Sequence, residues 1–381
     1  MRVLPVFGTR PEAVKMAPLV HEFCNNPDIE TYICITAQHR NMLDIVLDFF
    51  GIKPDFDLDL MTPGQSLNQL LPRIVERFDE VLAIVAPDWV IVHGDTTTAF
   101  AATLAAHHRQ IRVAHVEAGL RTYAPHPWPE ESNRRGIATV ADLHFAPTPG
   151  AAANLVAERV PGEVLVTGNT GVDALYIVLD RIGPSRCVGC GRKLVLVTGH
   201  RRESFGAPFE AICAALLDLA TRPDVEIVYP VHPNPAVRGP VAAALGDRPA
   251  IHLIDPLDLP SFVDLMRAAD LILTDSGGVQ EEAATLGIPV LVMREVTERP
   301  EGIAAGVARL VGTDRNRIVE AANIWLDDPP ALRPSTLYGD GLAAGRIADA
   351  LCGLPVSPFS PGQVTPVPRS ASAPLWTVPI S

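Results

Sequence analysis

Cysteine is scarce. Six residues in 381 (Cys24, Cys34, Cys187, Cys190, Cys213 and Cys352) make no disulfide framework, which fits a reducing compartment. Long apolar runs are also missing. No stretch approaches the roughly 18 uninterrupted apolar residues of a membrane-spanning helix, and Val81–Val92 is broken by Pro87 and Asp88. The apolar run Val3–Phe7 is too short for a signal-peptide core, so the expected location is cytoplasmic. Positive charge is in deficit: Lys+Arg 31 against Asp+Glu 44 gives a formal charge of −13. Bulk electrostatics therefore disfavour nucleic acid and membrane surfaces as partners, and an anionic ligand would need a local basic cluster. Neither a G-x-G-x-x-G turn nor a G-x-x-x-x-G-K-[ST] loop is present, which argues against conventional dinucleotide binding and P-loop chemistry. Cys187-Val-Gly-Cys190 has zinc-knuckle spacing, but no second pair completes the ligand set, and its Gly/Pro-rich surroundings, Gly183–Gly191, read as a loop.

What is present is a balanced globular composition, 48% hydrophobic and 20% charged, long enough for two or three domains. Short β-branched runs alternate with longer amphipathic stretches. Strands are expected at Val3–Phe7, Thr31–Thr36, Trp89–His93, Arg112–Val116, Leu143–Ala146 and Val164–Thr167, and again at Leu194–Thr198, Val225–Val231, Ile251–Ile254, Leu271–Thr274 and Val290–Met293. Helical patterns between them include Glu12–Phe23, Asn41–Phe50, Leu67–Val85, Thr96–His107, Phe209–Ala220, Pro260–Ala268 and Val279–Leu286. Repeated strand, helix, strand means right-handed βαβ units, hence an α/β protein with parallel sheets. The alternation pauses between Arg181 and Arg192, the expected link between two doubly wound domains of about six strands each, with the active site in the cleft between them. Pro18, inside the first helix, predicts a kink or an early end there. The last 28 residues carry seven prolines and no apolar periodicity, so 354–381 is expected to be disordered.

Ligands of open parallel sheets bind beyond the carboxyl ends of the strands, and the residues there are strongly polar. Gly8-Thr9-Arg10-Pro11-Glu12 follows the first strand, with Lys15 a turn later; Gln38-His39-Arg40, Gly94-Asp95-Thr96, Glu117-Ala-Gly-Leu-Arg121, Gly199-His200-Arg201-Arg202-Glu203 and Asp275-Ser276-Gly277-Gly278 follow others. A helix cap explains one polar residue per loop; histidines, arginines and carboxylates converging from both halves point to a catalytic cleft. Ser276-Gly277-Gly278 opens a helix whose free N–H groups suit phosphate oxygens, and Glu282, nearly two turns in, is placed for ribose hydroxyls. Arg10, Lys15, Arg201, Arg202 and Arg299 could supply local charge for a diphosphate. Asp95 and Glu117 follow successive strands, and Pro129-Glu130-Glu131 could lower a further carboxylate into the cleft, an acid set able to separate a general acid from a general base. Glu131 reads equally well as a first-turn helix acid.

The motifs Phe7-Gly-Thr-Arg-Pro-Glu-Ala13, His93-Gly-Asp-Thr-Thr-Thr98, His115-Val-Glu-Ala-Gly-Leu-Arg-Thr122, Pro129-Glu-Glu-Ser-Asn-Arg134, Thr198-Gly-His-Arg-Arg-Glu203, Thr274-Asp-Ser-Gly-Gly278 and Thr297-Glu-Arg-Pro-Glu301 closely resemble those of the bacterial non-hydrolysing UDP-N-acetylglucosamine 2-epimerases, from residue 1 to about 352. The resemblance implies a GT-B architecture: an N-terminal Rossmann-like domain over 1–168, a C-terminal UDP-binding one over 169–341, and a helix at 342–352 packing back on the first. It implies a homodimer that interconverts UDP-GlcNAc and UDP-ManNAc without metal or nicotinamide, by eliminating UDP to a bound 2-acetamidoglucal and adding it back, in the service of cell-surface polysaccharide synthesis. Asp95, Glu117, Glu130 and His200 match its catalytic positions, with the C2 base left open among them. Arg10, Lys15, Phe262, Ser276, Gly277, Gly278, Glu282 and Arg299 match substrate contacts, Phe262 either beside uracil or packed in the core. Gln38, His39 and Arg202 match a second, allosteric UDP-GlcNAc site. A hydrolysing epimerase, a GT-B glycosyltransferase and a non-catalytic nucleotide-sugar sensor are the competing readings. The Cys187/Cys190 loop and the Pro-rich tail lie outside the family pattern.

Overall fold

The computed structural model describes residues 1–36, 40–62, 64–125, 127–183, 191–199, 206–231 and 235–362. The first half runs β1 (Arg2–Phe7), α1 (Arg10–Asn25), β2 (Glu30–Thr31), β3 (Cys34–Ile35), α2 (Arg40–Phe50), β4 (Phe56–Asp57), α3 (Leu67–Val85), β5 (Trp89–His93), α4 (Thr97–His108), β6 (Arg112–Val116), α5 (Glu130–Ala138), β7 (Leu143–Ala146), α6 (Pro149–Glu158) and β8 (Glu163–Val166). Helix α7 (Thr170–Ile182) leads into β9 (Lys193–Thr198), α8 (Ala207–Leu219), β10 (Val225–Pro230), α9 (Pro235–Leu245), β11 (Ile251–Ile254), α10 (Leu259–Ala268), β12 (Leu271–Thr274), α11 (Gly277–Leu286), β13 (Val290–Val292), α12 (Pro300–Ala304), β14 (Ala308–Leu310), α13 (Arg315–Asp327) and α14 (Ala343–Leu351).

Every strand pairing is parallel. The eight-stranded sheet has the order β4-β3-β1-β5-β6-β7-β8, with β2 also on β1, and the six-stranded sheet the order β11-β10-β9-β12-β13-β14. Each order reverses once, between β1 and β5 and between β9 and β12. At such a reversal the crossovers leave on opposite faces of the sheet and open a crevice beyond the carboxyl ends of the two strands. Those ends are followed by Gly8 and Gly94-Asp95 in the first sheet and by Gly199 and Asp275-Ser276 in the second.

Helix α7 joins the halves, packing on α1 and α14 on one side and on α10 and α11 on the other. One apolar cluster accordingly runs from Phe7 and Met16 through Leu175 and Val178 to Met266 and Ile272. Helix α14 is tied to α7 by Asp173, whose Oδ1 accepts from the Ala344 amide at 2.8 Å. Burial, the largest influence, pushes the Asp173 carboxyl up to about 7, and nearby Asp340 pushes the same way. A carboxyl raised in the folded state binds a proton that the unfolded chain has already released. Its contribution to stability is thus lost as pH rises from about 4 to about 7. Asp173→Asn should gain in melting temperature relative to wild type between about pH 4 and pH 8, as thermal melts across that range would register.

Three expectations are corrected. Pro18 does not end α1, which continues to Asn25; the proline removes one helical hydrogen bond, and the helix is held on both sides of it by packing against α2, α7 and α14. Thr31–Thr36 is not one strand, because the Ile33 amide turns aside to Asp55 Oδ2 (2.8 Å), leaving two short pieces paired with opposite ends of β1. The start of the tail, 354–362, packs on the fold: Phe359 is buried, its amide donates to Val166 O on β8 (2.8 Å), and Arg346 lies over its ring. The Cys187/Cys190 pair and residues 363–381 lie outside the described residues.

Candidate active site

At the first reversal, Gly8 is dictated by space. A Cβ there would lie 2.1 Å from Thr36 Oγ1 and 2.7 Å from Thr98 Oγ1, two hydroxyls that bond each other at 2.8 Å. Thr9 and Glu12 form a capping box on α1, and the buried Glu12 carboxylate also accepts from Gly8 N (3.0 Å), Thr9 N (2.8 Å) and Thr96 Oγ1 (2.6 Å). This fixes the start of α1, which leaves Arg10 exposed at its first residue and turns Lys15 inward.

Beyond β5, Asp95 Oδ2 accepts from Arg134 Nη2 at 2.7 Å, while Asn133 Nδ2 donates to the Asp95 carbonyl at 2.9 Å. Arg134 is four residues after Glu130, the first residue of α5. Glu131 has the structural role, accepting from Thr122 N (3.1 Å), Thr122 Oγ1 (3.1 Å) and Tyr123 N (3.2 Å).

Beyond β6, Glu117 has φ +62, in the left-handed region that costs a side-chain-bearing residue on the order of 1–3 kcal/mol. Its two oxygens have different surroundings. Oε1 takes Lys15 Nζ in a short contact, Asn169 Nδ2 at 2.8 Å and Arg299 Nη2 at 3.6 Å; Oε2 faces His93 Nε2 at 3.9 Å. Burial alone would raise this carboxyl, but Lys15, His93 and Arg299 outweigh it and hold it well below the usual carboxylate range. His93 is pushed down to about 4, chiefly by burial, so its imidazole is neutral at pH 7.

At the second reversal, α11 begins with two glycines that differ in surroundings. A Cβ on Gly277 would meet Arg299 Nη1 at 2.4 Å and Glu298 Oε1 at 3.0 Å, whereas one on Gly278 would meet nothing within 4 Å. Ser276 occupies the cap position without a side-chain cap bond, so the first N–H groups of α11 are not taken up by its hydroxyl. Arg299 is held from behind: Nε donates to Glu281 Oε1 at 2.6 Å, Nη1 pairs with Glu298, and Glu298 Oε2 is bridged to Arg294 at 2.9 Å. Glu282 is half-buried, and burial pushes its carboxyl up to about 7 against the opposing pull of Lys15 and Arg10.

The structure thus brings Lys15, Glu117 and Arg299 into one buried cluster, sets Arg10 near Glu282, and places Gly277 against Arg299. Phe262 sits half-buried on α10 against the main core cluster. His200, Gln38, His39 and Arg202 lie outside the described residues. Two contributors escape a reading of the sequence. Glu281 bonds Lys15 Nζ at 3.2 Å as well as Arg299, and Asn169 Nδ2 bonds both Glu117 and Glu281, the latter at 2.9 Å. Asn169 also caps α7: its Oδ1 accepts from Gly171 N at 2.9 Å, leaving the amide nitrogen to bridge.

Two parallel-sheet Rossmann-like units, with acids beyond one sheet and a glycine-opened, arginine-backed helix start beyond the other, define the GT-B class. The fold is shared with the spinosyn rhamnosyltransferase SpnG, at 17% identity and a TM-score of 0.53 over 93% of this chain and 97% of that one. The family model described as UDP-N-acetylglucosamine 2-epimerase matches residues 21–352. The chain is 52% identical over 371 residues to the UDP-N-acetylglucosamine 2-epimerase of Escherichia coli K12, covering 92% of this chain and 98% of that one. It superposes on the crystal structure of the Neisseria meningitidis UDP-GlcNAc 2-epimerase bound to UDP-GlcNAc with a TM-score of 0.90 at 44% identity, over 93% of this chain and 100% of the other. The chain belongs to the UDP-N-acetylglucosamine 2-epimerase family.

Proposed function

We propose that this chain interconverts UDP-GlcNAc and UDP-ManNAc by inversion at C2. The observation that carries the reading is the meeting of Lys15, Glu117 and Arg299 between the acid-bearing loops of one sheet and the Ser276–Gly278 helix start of the other. In the first step a base removes the C2 proton while the C1–O bond breaks. Its electron pair leaves with UDP, and a C1=C2 bond remains in a bound 2-acetamidoglucal. In the second, a UDP oxygen attacks C1 as an acid delivers a proton to the opposite face of C2. Inversion needs proton transfer on both faces, hence more than one acid/base group; Asp95, Glu117, Glu130 and His200 are the candidates. The diphosphate leaves onto Lys15, Arg299 and Arg10 and onto the N–H groups beyond Ser276, Gly277 and Gly278, where positive charge and dipoles are already in place. Glu282 is assigned to the ribose hydroxyls and Phe262 to the uracil side. The allosteric assignment of Gln38, His39 and Arg202 stands as part of the same reading, as do a homodimer, a cytoplasmic location and a role in polysaccharide precursor supply. Among the described residues no helix is long and apolar enough to cross a membrane, which is compatible with that location.

Product analysis of purified protein with UDP-GlcNAc tests this reading. Intact UDP-ManNAc is expected; free ManNAc with UDP would move the chain to a hydrolysing chemistry. A smaller change tests the diphosphate site: Gly277→Ala must displace Arg299, and UDP affinity by calorimetric titration is expected to fall roughly tenfold or more, about the cost of losing one charge-assisted hydrogen bond. Affinity equal to wild type would take Arg299 off the phosphate.

A further inference from the structure

Glu281 is a second buried carboxylate, beside Glu117, that touches two of the three cations assigned above to the diphosphate, Lys15 and Arg299. Its Oε2 receives Lys15 Nζ at 3.2 Å and Asn169 Nδ2 at 2.9 Å, and its Oε1 receives Arg299 Nε at 2.6 Å. Lys15 comes from α1 of the first half and Arg299 from the segment before α12 of the second, so one carboxylate spans the cleft. Asn169, at the start of α7, bonds Glu281 and Glu117 with the same amide nitrogen and thereby fixes the distance between the two acids. We infer that Glu281 is a positioning residue that holds Lys15 and Arg299 between itself and Glu117, dividing the charge of Lys15 so that it does not belong to Glu117 alone. This inference rests on the epimerase reading and concerns a residue that reading leaves without a role.

The consequence follows from charge. Lys15 has two carboxylate partners, Glu117 and Glu281, and Arg299 has three, Glu281, Glu298 and Glu117. Removing the charge of Glu281 leaves Glu117 as the one carboxylate paired with Lys15 among the described residues and raises the positive potential there. The other groups facing Glu117, namely His93 on β5, Asn169 before α7 and Arg299, are unchanged in charge and cannot offset it. Glu117 then binds a proton less readily, while the two cations are freer to meet a diphosphate. Glu281→Gln keeps the shape but turns one of two accepting oxygens into an amide NH2, so it removes the charge together with one accepted hydrogen bond, and Glu281→Asp, which keeps both acceptors, separates the two.

The test compares wild type, Glu281→Gln and Glu281→Asp in kcat, KM, UDP affinity and thermal stability. For Glu281→Gln the expected result is a kcat lower by roughly 10- to 100-fold, the cost of an active-site group displaced by about an ångström. UDP affinity should be equal to wild type or tighter, so that the loss falls on kcat alone. Glu281→Asp, which keeps the charge, should recover part of kcat, and it carries the test should the Gln variant not fold. A Gln variant with kcat within about twofold of wild type, or a parallel loss of kcat, UDP affinity and thermal stability, overturns the inference while the epimerase reading stands. A wild-type protein that binds UDP but does not epimerise the sugar overturns both.

Discussion

Asp95→Asn is expected to lower kcat for epimerisation by roughly 10²- to 10⁴-fold, the range in which a positioned acid or base contributes, while UDP affinity stays within about twofold. The residue follows β5 at the first chain reversal, and its backbone and side chain are held separately, by Asn133 and by Arg134. Arg134 in turn lies 3.4 Å from Glu131, the residue that pins the Thr122–Tyr123 turn. Asparagine preserves the volume and an acceptor for Arg134 but removes the carboxylate charge and with it the capacity to exchange a proton; Arg134 keeps Glu131 as an ion-pair partner. The nucleotide is assigned to the other sheet, so its binding should be spared. Steady-state rates in both directions, with a UDP titration on the same preparation, check the split. Wild-type turnover would take Asp95 out of the chemistry, and parallel loss of UDP binding would make its role structural.

Lys15→Met should combine loss of function with loss of stability. The ammonium is buried between Glu117 and Glu281, and taking it away leaves two buried carboxylates with Arg299 as their remaining close cation. Breaking a buried pair on one side costs about 3–5 kcal/mol, and the presence of Arg299 places the expected loss near the lower figure. The pH dependence has a definite sign. In wild type the Glu117 carboxyl is held below its ordinary value near 4.5, so its pairing stabilises the fold above that pH and is lost as pH falls through the folded value. The variant lacks that contribution. The stability gap between the two proteins is therefore widest near neutral pH and narrows as pH falls below about 4.5, which denaturant titrations at about pH 7.5 and about pH 4 would register. A gap independent of pH would mean that Lys15 acts through packing alone.

How much of this was legible depends on what each feature answers to. Runs such as Trp89–His93 and Leu271–Thr274 declare themselves because strands buried on both faces must be apolar throughout. Phe56–Asp57 and Ala308–Leu310 do not, since two or three residues carry no period, and those strands exist because a neighbouring edge recruits them. The proline-rich end misleads in the same way: composition says disorder, yet Phe359 closes the space beside Gly168 at the edge of β8. In the site, loops after strands singled out Lys15 and Glu117 because topology brings such loops to one sheet edge, and the structure gathers both into one buried cluster with Arg299. Of the adjacent pair Glu281-Glu282 the sequence singled out only Glu282; successive helical residues point about 100° apart, and the docking of the two halves is what turns Glu281 to Lys15 and Arg299. Glu131 was left open by pattern and resolved by its bonds to Thr122 and Tyr123.

The central claim is that C2 inverts through loss and return of its proton while the nucleotide sugar is conserved. A proton NMR time course of the purified protein with UDP-GlcNAc in D₂O, without added metal or nicotinamide, tests it most directly. The account predicts UDP-ManNAc carrying deuterium at C2, formed without accumulation of free sugar. UDP-ManNAc that retains its C2 proton throughout, or ManNAc released with UDP, would contradict it.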